Sequence, residues 1–273
     1  MKHELKKVAV LLPVAALLAA CGGGGGDTAK DAGVKPEAQA PQGSTSSGSV
    51  TASYAKKADD GRYMLVSPGL QSSGRLTDVQ QTATGAAAGG VVTMNANTLS
   101  GDLAIQDIAG DESFALGRWS KGTVNRDGTA AAIVGDDGAY HYVVYNALTA
   151  FPTSGTYKCD AGKFTAPSRV GGSGNVLGTA AGSATVTFSN GAAVLDAAIT
   201  ATVGAQSGAV SASGKRLDSP AITTITGNYF NSGTGMALTV GEAGNAKVRV
   251  VAAYQVAVSG DDYRGVATFS CGL

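Results

Sequence analysis

Three cysteines carry most of the reactive chemistry in this chain of 273 residues. Cys21 directly follows the small residues Ala19 and Ala20, at the end of an apolar run from Val8 to Leu18 that is interrupted only by Pro13. Lys2, Lys6 and Lys7 give that run a cationic start, so residues 1–20 read as a secretory signal. The run is too short to cross a bilayer, which takes about 20 apolar residues. Cys159 and Cys271 remain. An even pair in an exported chain reads as a disulfide, with two free thiols as the alternative.

The rest of the chemistry is thin. His141 is the one histidine beyond the signal, set between Tyr140 and Tyr142, and reads as a packed or surface side chain. Any Ser-His-Asp triad would have to use it, and no Gly-x-Ser-x-Gly elbow stands beside a helical pattern. One histidine and two paired cysteines do not make a usual zinc ligand set. Gly172-Ser-Gly174 with Gly178 lacks the helix and βαβ context of a dinucleotide loop. Asp59-Asp60, Asp136-Asp137 and Asp261-Asp262 stand at glycine-rich turns and read as solvated turns rather than calcium ligands. Arg118-Trp119 offers a cation–π pair or a binding anchor. Adjacent strand residues point to opposite faces, so Trp119 reads as a core residue. The expectation is a non-catalytic protein with no catalytic residue, no metal and no cofactor, and its ligand-binding residues stay unassigned.

Lysine plus arginine number 20, as do aspartate plus glutamate. With no basic patch and no aromatic–basic interleaving, nucleic acid is excluded as a partner class. Residues 21–53 are rich in Gly, Ala, Ser and Thr without helical or strand periodicity, and read as a flexible tether. At 5–6 Å × √n its root-mean-square reach is roughly 30 Å. Leu18-Ala-Ala-Cys21 resembles the lipobox of bacterial lipoproteins. That resemblance implies a diacylglyceryl thioether on Cys21, cleavage before it, and acylation of the new amine by palmitate-type chains. Gly22 stands where such lipoproteins carry Asp for inner-membrane retention, so the resemblance implies the outer membrane of a diderm bacterium.

Glycine is abundant, at 40 residues, and short alternating runs of Val, Thr, Ser and Ala argue for strands joined by tight turns. Between residues 54 and 150 the pattern is broken. Candidate strands are 90–95, 113–119, 130–134 and 140–145, with Asp127-Gly128 and Asp137-Gly138 as hairpin turns. From residue 151 onward, eight runs recur: 155–164, 183–188, 192–202, 208–214, 222–230, 235–240, 246–256 and 263–271. Asn190-Gly191, Gly244-Asn245 and Gly260-Asp261 supply hairpin signals between them. Eight antiparallel strands of similar length predict an up-and-down β-barrel over 151–273. Closure would make the strands of Cys159 and Cys271 neighbours, so the disulfide would fasten the seam.

Tyr142-Val-Val-Tyr-Asn-Ala-Leu-Thr-Ala-Phe-Pro-Thr-Ser-Gly-Thr-Tyr157 resembles the opening of the C-terminal barrel in the family of factor H binding protein and transferrin-binding protein B. Pro152, Gly155, Tyr157 and Gly162 carry the spacing. Ser183–Phe188, Gly227–Phe230, Gly265–Phe269 and Gly117-Arg-Trp119 resemble further segments of it. The resemblance spans roughly residues 113–273, and the cysteine pair and residues 54–110 depart from it. It implies an all-β protein in which an irregular N-terminal β handle, 54–150, precedes the eight-stranded antiparallel barrel. It further implies exposure on the cell exterior and a host protein or iron carrier as ligand. The hairpin tips Asn190-Gly191, Ala243–Asn245 and Gly260–Asp262 are contact candidates by position. A lipocalin-like small-molecule carrier and a structural lipoprotein facing the periplasm are the alternatives.

Overall fold

Two-residue turns and alternating strands dictate an antiparallel all-β fold, and that fold is what the computed structural model of the chain adopts. It describes residues 49–85, 87–231, 233–244 and 246–272. Cys21 and the tether lie outside the described residues, apart from its last few.

The first sheet is built from β1 (Ser49–Val50), β2 (Gly61–Ser67), β3 (Leu70–Arg75), β4 (Val79–Gln81), β5 (Val91–Met94), β6 (Asn97–Asp111), β7 (Phe114–Arg126), β8 (Thr129–Ala132) and β9 (Tyr140–Asn146). Its order is β3-β2-β9-β7-β6-β5-β4, with β8 on β7 and β1 running parallel to β6. The expectation of few long strands here does not hold, since β6 and β7 have 15 and 13 residues. Irregularity enters through register instead. The β6–β7 ladder shifts at Ser100/Ala104, Ala104/Ile105 and Gln106/Ala109. Gly101 and Asp107, at φ 79° and 54°, absorb these bulges. A glycine that reads as a break in one dimension is thus an extra residue inside a continuous strand. Asp137-Gly138 is likewise not a hairpin turn: Asp136–Gly138 form a 3₁₀ turn leading into β9.

The remaining strands are β10 (Ser154–Lys158), β11 (Lys163–Phe164), β12 (Ser168–Arg169), β13 (Thr179–Ser189), β14 (Ala192–Val203), β15 (Gln206–Leu217), β16 (Thr224–Gly227), β17 (Gly235–Glu242), β18 (Lys247–Val258) and β19 (Asp261–Gly272). One sheet runs β10-β13-β14-β15 and the other β11-β19-β18-β17-β16, with β12 also on β19. All eight predicted runs overlap strands, in up-and-down order, but the first, 155–164, is split into β10 on one sheet and β11 on the other, with Cys159 between them. Asn190-Gly191, at φ 51° and 73°, makes the β13–β14 turn. The β18–β19 turn is Ser259-Gly260, one residue earlier than expected. Together the two sheets form a strongly curled half-barrel. At one junction Cys159 and Cys271 form an isolated antiparallel bridge. At the other, β15 and β16 share no ladder.

Three cores follow. Inside the half-barrel lie Phe164, Val186, Phe188, Leu195, Ile199, Leu238, Val250, Tyr254 and Phe269. One face of the first sheet buries Leu65, Met94, Trp119, Tyr142 and Val144. Its other face packs Met64, Phe114, Leu116, Val143 and Tyr145 against Ala237, Val251, Ala253 and Val266 on the outside of β17, β18 and β19. Strand β18 is therefore buried on both faces, which explains its nearly unbroken apolar run.

Candidate functional site

The residue types with chemistry converge where β7 and β9 meet β19 and the 163–175 segment. His141 lies on the β9 face turned toward the barrel and is wholly buried. Its Nδ1 is 2.8 Å from Thr165 Oγ1 and its Nε2 is 2.8 Å from Ser168 Oγ. Ser168 thus stands beside a histidine, but Thr165 occupies the place where a triad has its carboxylate, and Thr165 and Ser168 are themselves fully buried. Burial, then the guanidinium groups of Arg264 and Arg118, hold the His141 imidazole well below its ordinary pKa. The ring is a packed part of the junction, which settles between the packed and the surface placement that the sequence left open.

Around it runs an ion network. Arg118 donates from Nε to Asp107 Oδ2 at 2.7 Å, from Nη1 to Asp136 Oδ1 at 2.8 Å and from Nη2 to Gln106 Oε1 at 2.6 Å. Asp107 Oδ2 also accepts the backbone N–H of Ala166 at 3.0 Å. Arg169 donates to Asp137 Oδ2 from Nε at 3.1 Å and Nη2 at 2.8 Å, and Gly174 N–H joins them at 3.0 Å. Arg264 donates from Nη2 to the Asp137 carbonyl at 2.6 Å, while its Nε and Nη1 meet no protein acceptor. Burial pushes its pKa down to about 10, against the opposing pull of Asp137.

The reading of Asp136-Asp137 as a solvated turn is therefore corrected. Asp137 is 1% exposed and is the acceptor that joins the 3₁₀ turn to the 169–174 loop. Gln106 and Asp107 meet Arg118 across the β6–β7 ladder, whereas the links from Asp107 to Ala166 and from Asp137 to Arg169 and Arg264 span distant parts of the chain that only the sheet-on-sheet contact unites. Among the described residues no cluster of three or more His, Cys, Asp or Glu is placed to hold a metal ion. What the arrangement does chemically is neutralise buried charge and lock the first sheet to the barrel.

Trp119 is fully buried, its Nε1 donating to the Val91 carbonyl at 2.6 Å, and Arg118 points the opposite way into the ion network. Cys159 and Cys271 form a disulfide, with an S–S distance of 2.03 Å and Cα atoms 3.9 Å apart.

The three hairpin tips do not form one surface. In up-and-down order alternate connections share an end. The β13–β14 and β17–β18 connections, at Asn190-Gly191 and Ala243-Gly244, lie at one end, and Ser259–Asp262 lies at the other. Asn245 is outside the described residues. Thr51 and Ala52 share a cleft with Ala243 and Gly244 at the first of these ends. Comparisons of the chain with family models, curated proteins and solved structures find no match.

Proposed function

We propose that this chain is an outer-membrane lipoprotein, anchored through Cys21 and facing the cell exterior, that binds a host protein or iron carrier without catalysis. The observation that carries the reading is the filled half-barrel. Phe164, Phe188, Leu195, Leu238 and Phe269 occupy the space in which a lipocalin-like carrier would hold its ligand. Recognition then falls to outer surfaces, which suit a macromolecular ligand. The resemblance of 113–273 to the factor H binding protein and transferrin-binding protein B family supports the same choice.

Three experiments test this. Protease treatment of intact cells should remove the protein, and Cys21→Ser should abolish labelling by a clickable palmitate analogue and release the protein from membranes. The full chain carrying Cys21→Ser should then capture a specific protein from host serum, with capture lost on substitution of a hairpin tip among Asn190-Gly191, Ala243–Asn245 and Gly260–Asp262. Resistance to shaving, or a lipid co-purifying from the barrel interior, would overturn the reading in favour of a periplasmic or carrier role.

A further inference from the structure

The longest edge strand among the described residues is β15, with 12 residues. It pairs with β14 on one side and carries no ladder on the other. Antiparallel geometry turns the N–H and C=O of every second residue toward that free side. Proteins normally blunt such an edge with charge, proline or a bulge. Here the blunting is confined to the C-terminal part, where Lys215 and Arg216 stand and the β14–β15 register shifts at Leu195/Ala197. Residues 206–213 read Gln-Ser-Gly-Ala-Val-Ser-Ala-Ser, uncharged and without proline.

The free edge borders a cleft of ≈ 450 Å³, walled by Ala209–Ser213 and Lys215 on one side and by Thr226, Gly227, Thr234 and Gly235 on the other. That volume lies in the range of ligand clefts, roughly 300–1,000 Å³. Gly227 and Gly235 lie on the far wall, and Lys215 is the one charged residue lining the cleft. Of the five large hydrophobic side chains exposed among the described residues, three lie on β16 or its flanks: Ile222, Ile225 and Phe230, at 46%, 40% and 60% exposure. An open ladder beside a cleft and a single cation are elements of strand-addition recognition.

We propose that this seam binds an extended peptide segment of a partner protein. Its main chain pairs with β15 along Ala209–Ser213, and an acidic group sits against Lys215. The wall of Thr226, Gly227, Thr234 and Gly235 favours a lone strand over a second copy of this chain, whose β15 would bring β14 behind it. The site is separate from the hairpin tips and holds whichever side of the membrane the protein faces.

Amide hydrogen exchange on the full chain tests it. The probe is a labelled peptide alternating valine and threonine and ending in two glutamates, with a version N-methylated at alternate residues as control. In the free protein, seam-facing amides of β15 should exchange quickly while those of β14 stay protected. Adding the probe should slow exchange within 209–213, and the N-methylated peptide should not. Lys215→Glu should weaken binding by about tenfold, the ratio equivalent to 1.4 kcal/mol, with β14 protection unchanged as evidence of an intact fold. Seam amides already protected in the free protein, no slowing within 209–213, or equal binding of the N-methylated peptide would each overturn the proposal. So would concentration-dependent self-association that accounts for the protection, since it would assign the edge to a second copy.

Discussion

The guanidinium carbon of Arg249 lies 3.7 Å above the ring centroid of Phe114. Arg249 projects from the outer face of β18 and Phe114 opens β7, so the pair joins the barrel to the first sheet. The same guanidinium donates from Nη2 to Ser113 Oγ at 3.2 Å and to Asp111 Oδ2 at 3.3 Å. Arg249 is 4% exposed, which removes most solvent competition from the contact. A double-mutant cycle of Arg249→Met and Phe114→Leu in urea unfolding should give a coupling of about 1–2 kcal/mol, as for a desolvated cation–π pair. Strictly additive losses would show that the ring contributes only apolar area.

Reduction of the Cys159–Cys271 bond should leave secondary structure intact but lower stability substantially. The bond closes a loop with a sequence separation of 112. Chain-entropy reasoning places the loss at about 4–5 kcal/mol for a loop of this size. Denaturant midpoints with and without reductant measure it, and Cys159→Ser with Cys271→Ser should reproduce the reduced value. An unchanged midpoint would mean that the ladders alone hold the seam.

Acidification should destabilise the junction through His141. Its folded pKa is well below the ordinary 6.5, chiefly through burial. The unfolded chain therefore takes up a proton that the native one refuses. The stability is fully present above the unfolded value and declines as pH falls beneath it. The slope approaches about 1.4 kcal/mol per pH unit until the folded pKa is reached. His141→Gln should lower stability at neutral pH yet flatten this part of the profile. Parallel profiles for the two proteins would assign the acid sensitivity elsewhere.

Two tyrosines lie over cross-strand glycines: Tyr142 opposite Gly117 and Tyr254 opposite Gly265. A Cβ on Gly265 would come within 2.6 Å of Tyr254 Oη. That hydroxyl is buried without a hydrogen-bond partner, whereas Tyr142 Oη accepts the Val91 N–H at 2.9 Å. Gly117→Ala and Gly265→Ala should each cost about 1–3 kcal/mol by overpacking. Tyr254→Phe should be close to neutral alone and should reduce the cost of Gly265→Ala. Tyr142→Phe should be destabilising, because it strands a buried donor. Thermal unfolding of the four single variants and the Gly265→Ala, Tyr254→Phe double variant separates these outcomes; a double variant no better than Gly265→Ala alone would refute the assignment.

Much of the half-barrel was legible because its determinants are local. Asn190-Gly191 sets a turn by backbone preference, and the period-2 alternation of Ala192–Val203 states which side faces inward. Once the strand order is known, Cys159 and Cys271 must be neighbours, so even a contact across 112 residues followed from local signals. The same logic placed Trp119 in a core from its parity with Arg118.

Other features were decided only by tertiary structure, because no local preference encodes them. Strand β18 reads as apolar throughout, and only packing on both faces assigns Val250 to the barrel and Val251 to the sheet junction. Gly101 looks like a break until the facing strand β7 turns it into part of a bulge. Asp137, read alone, is a polar turn residue. Its burial follows from the approach of Arg169 and Arg264, carried by strands that meet it only when the two sheets stack. The open β15 edge is likewise a property of closure: it depends on where β16 ends, and pairing across a barrel is settled by the whole circumference rather than by either strand's own sequence.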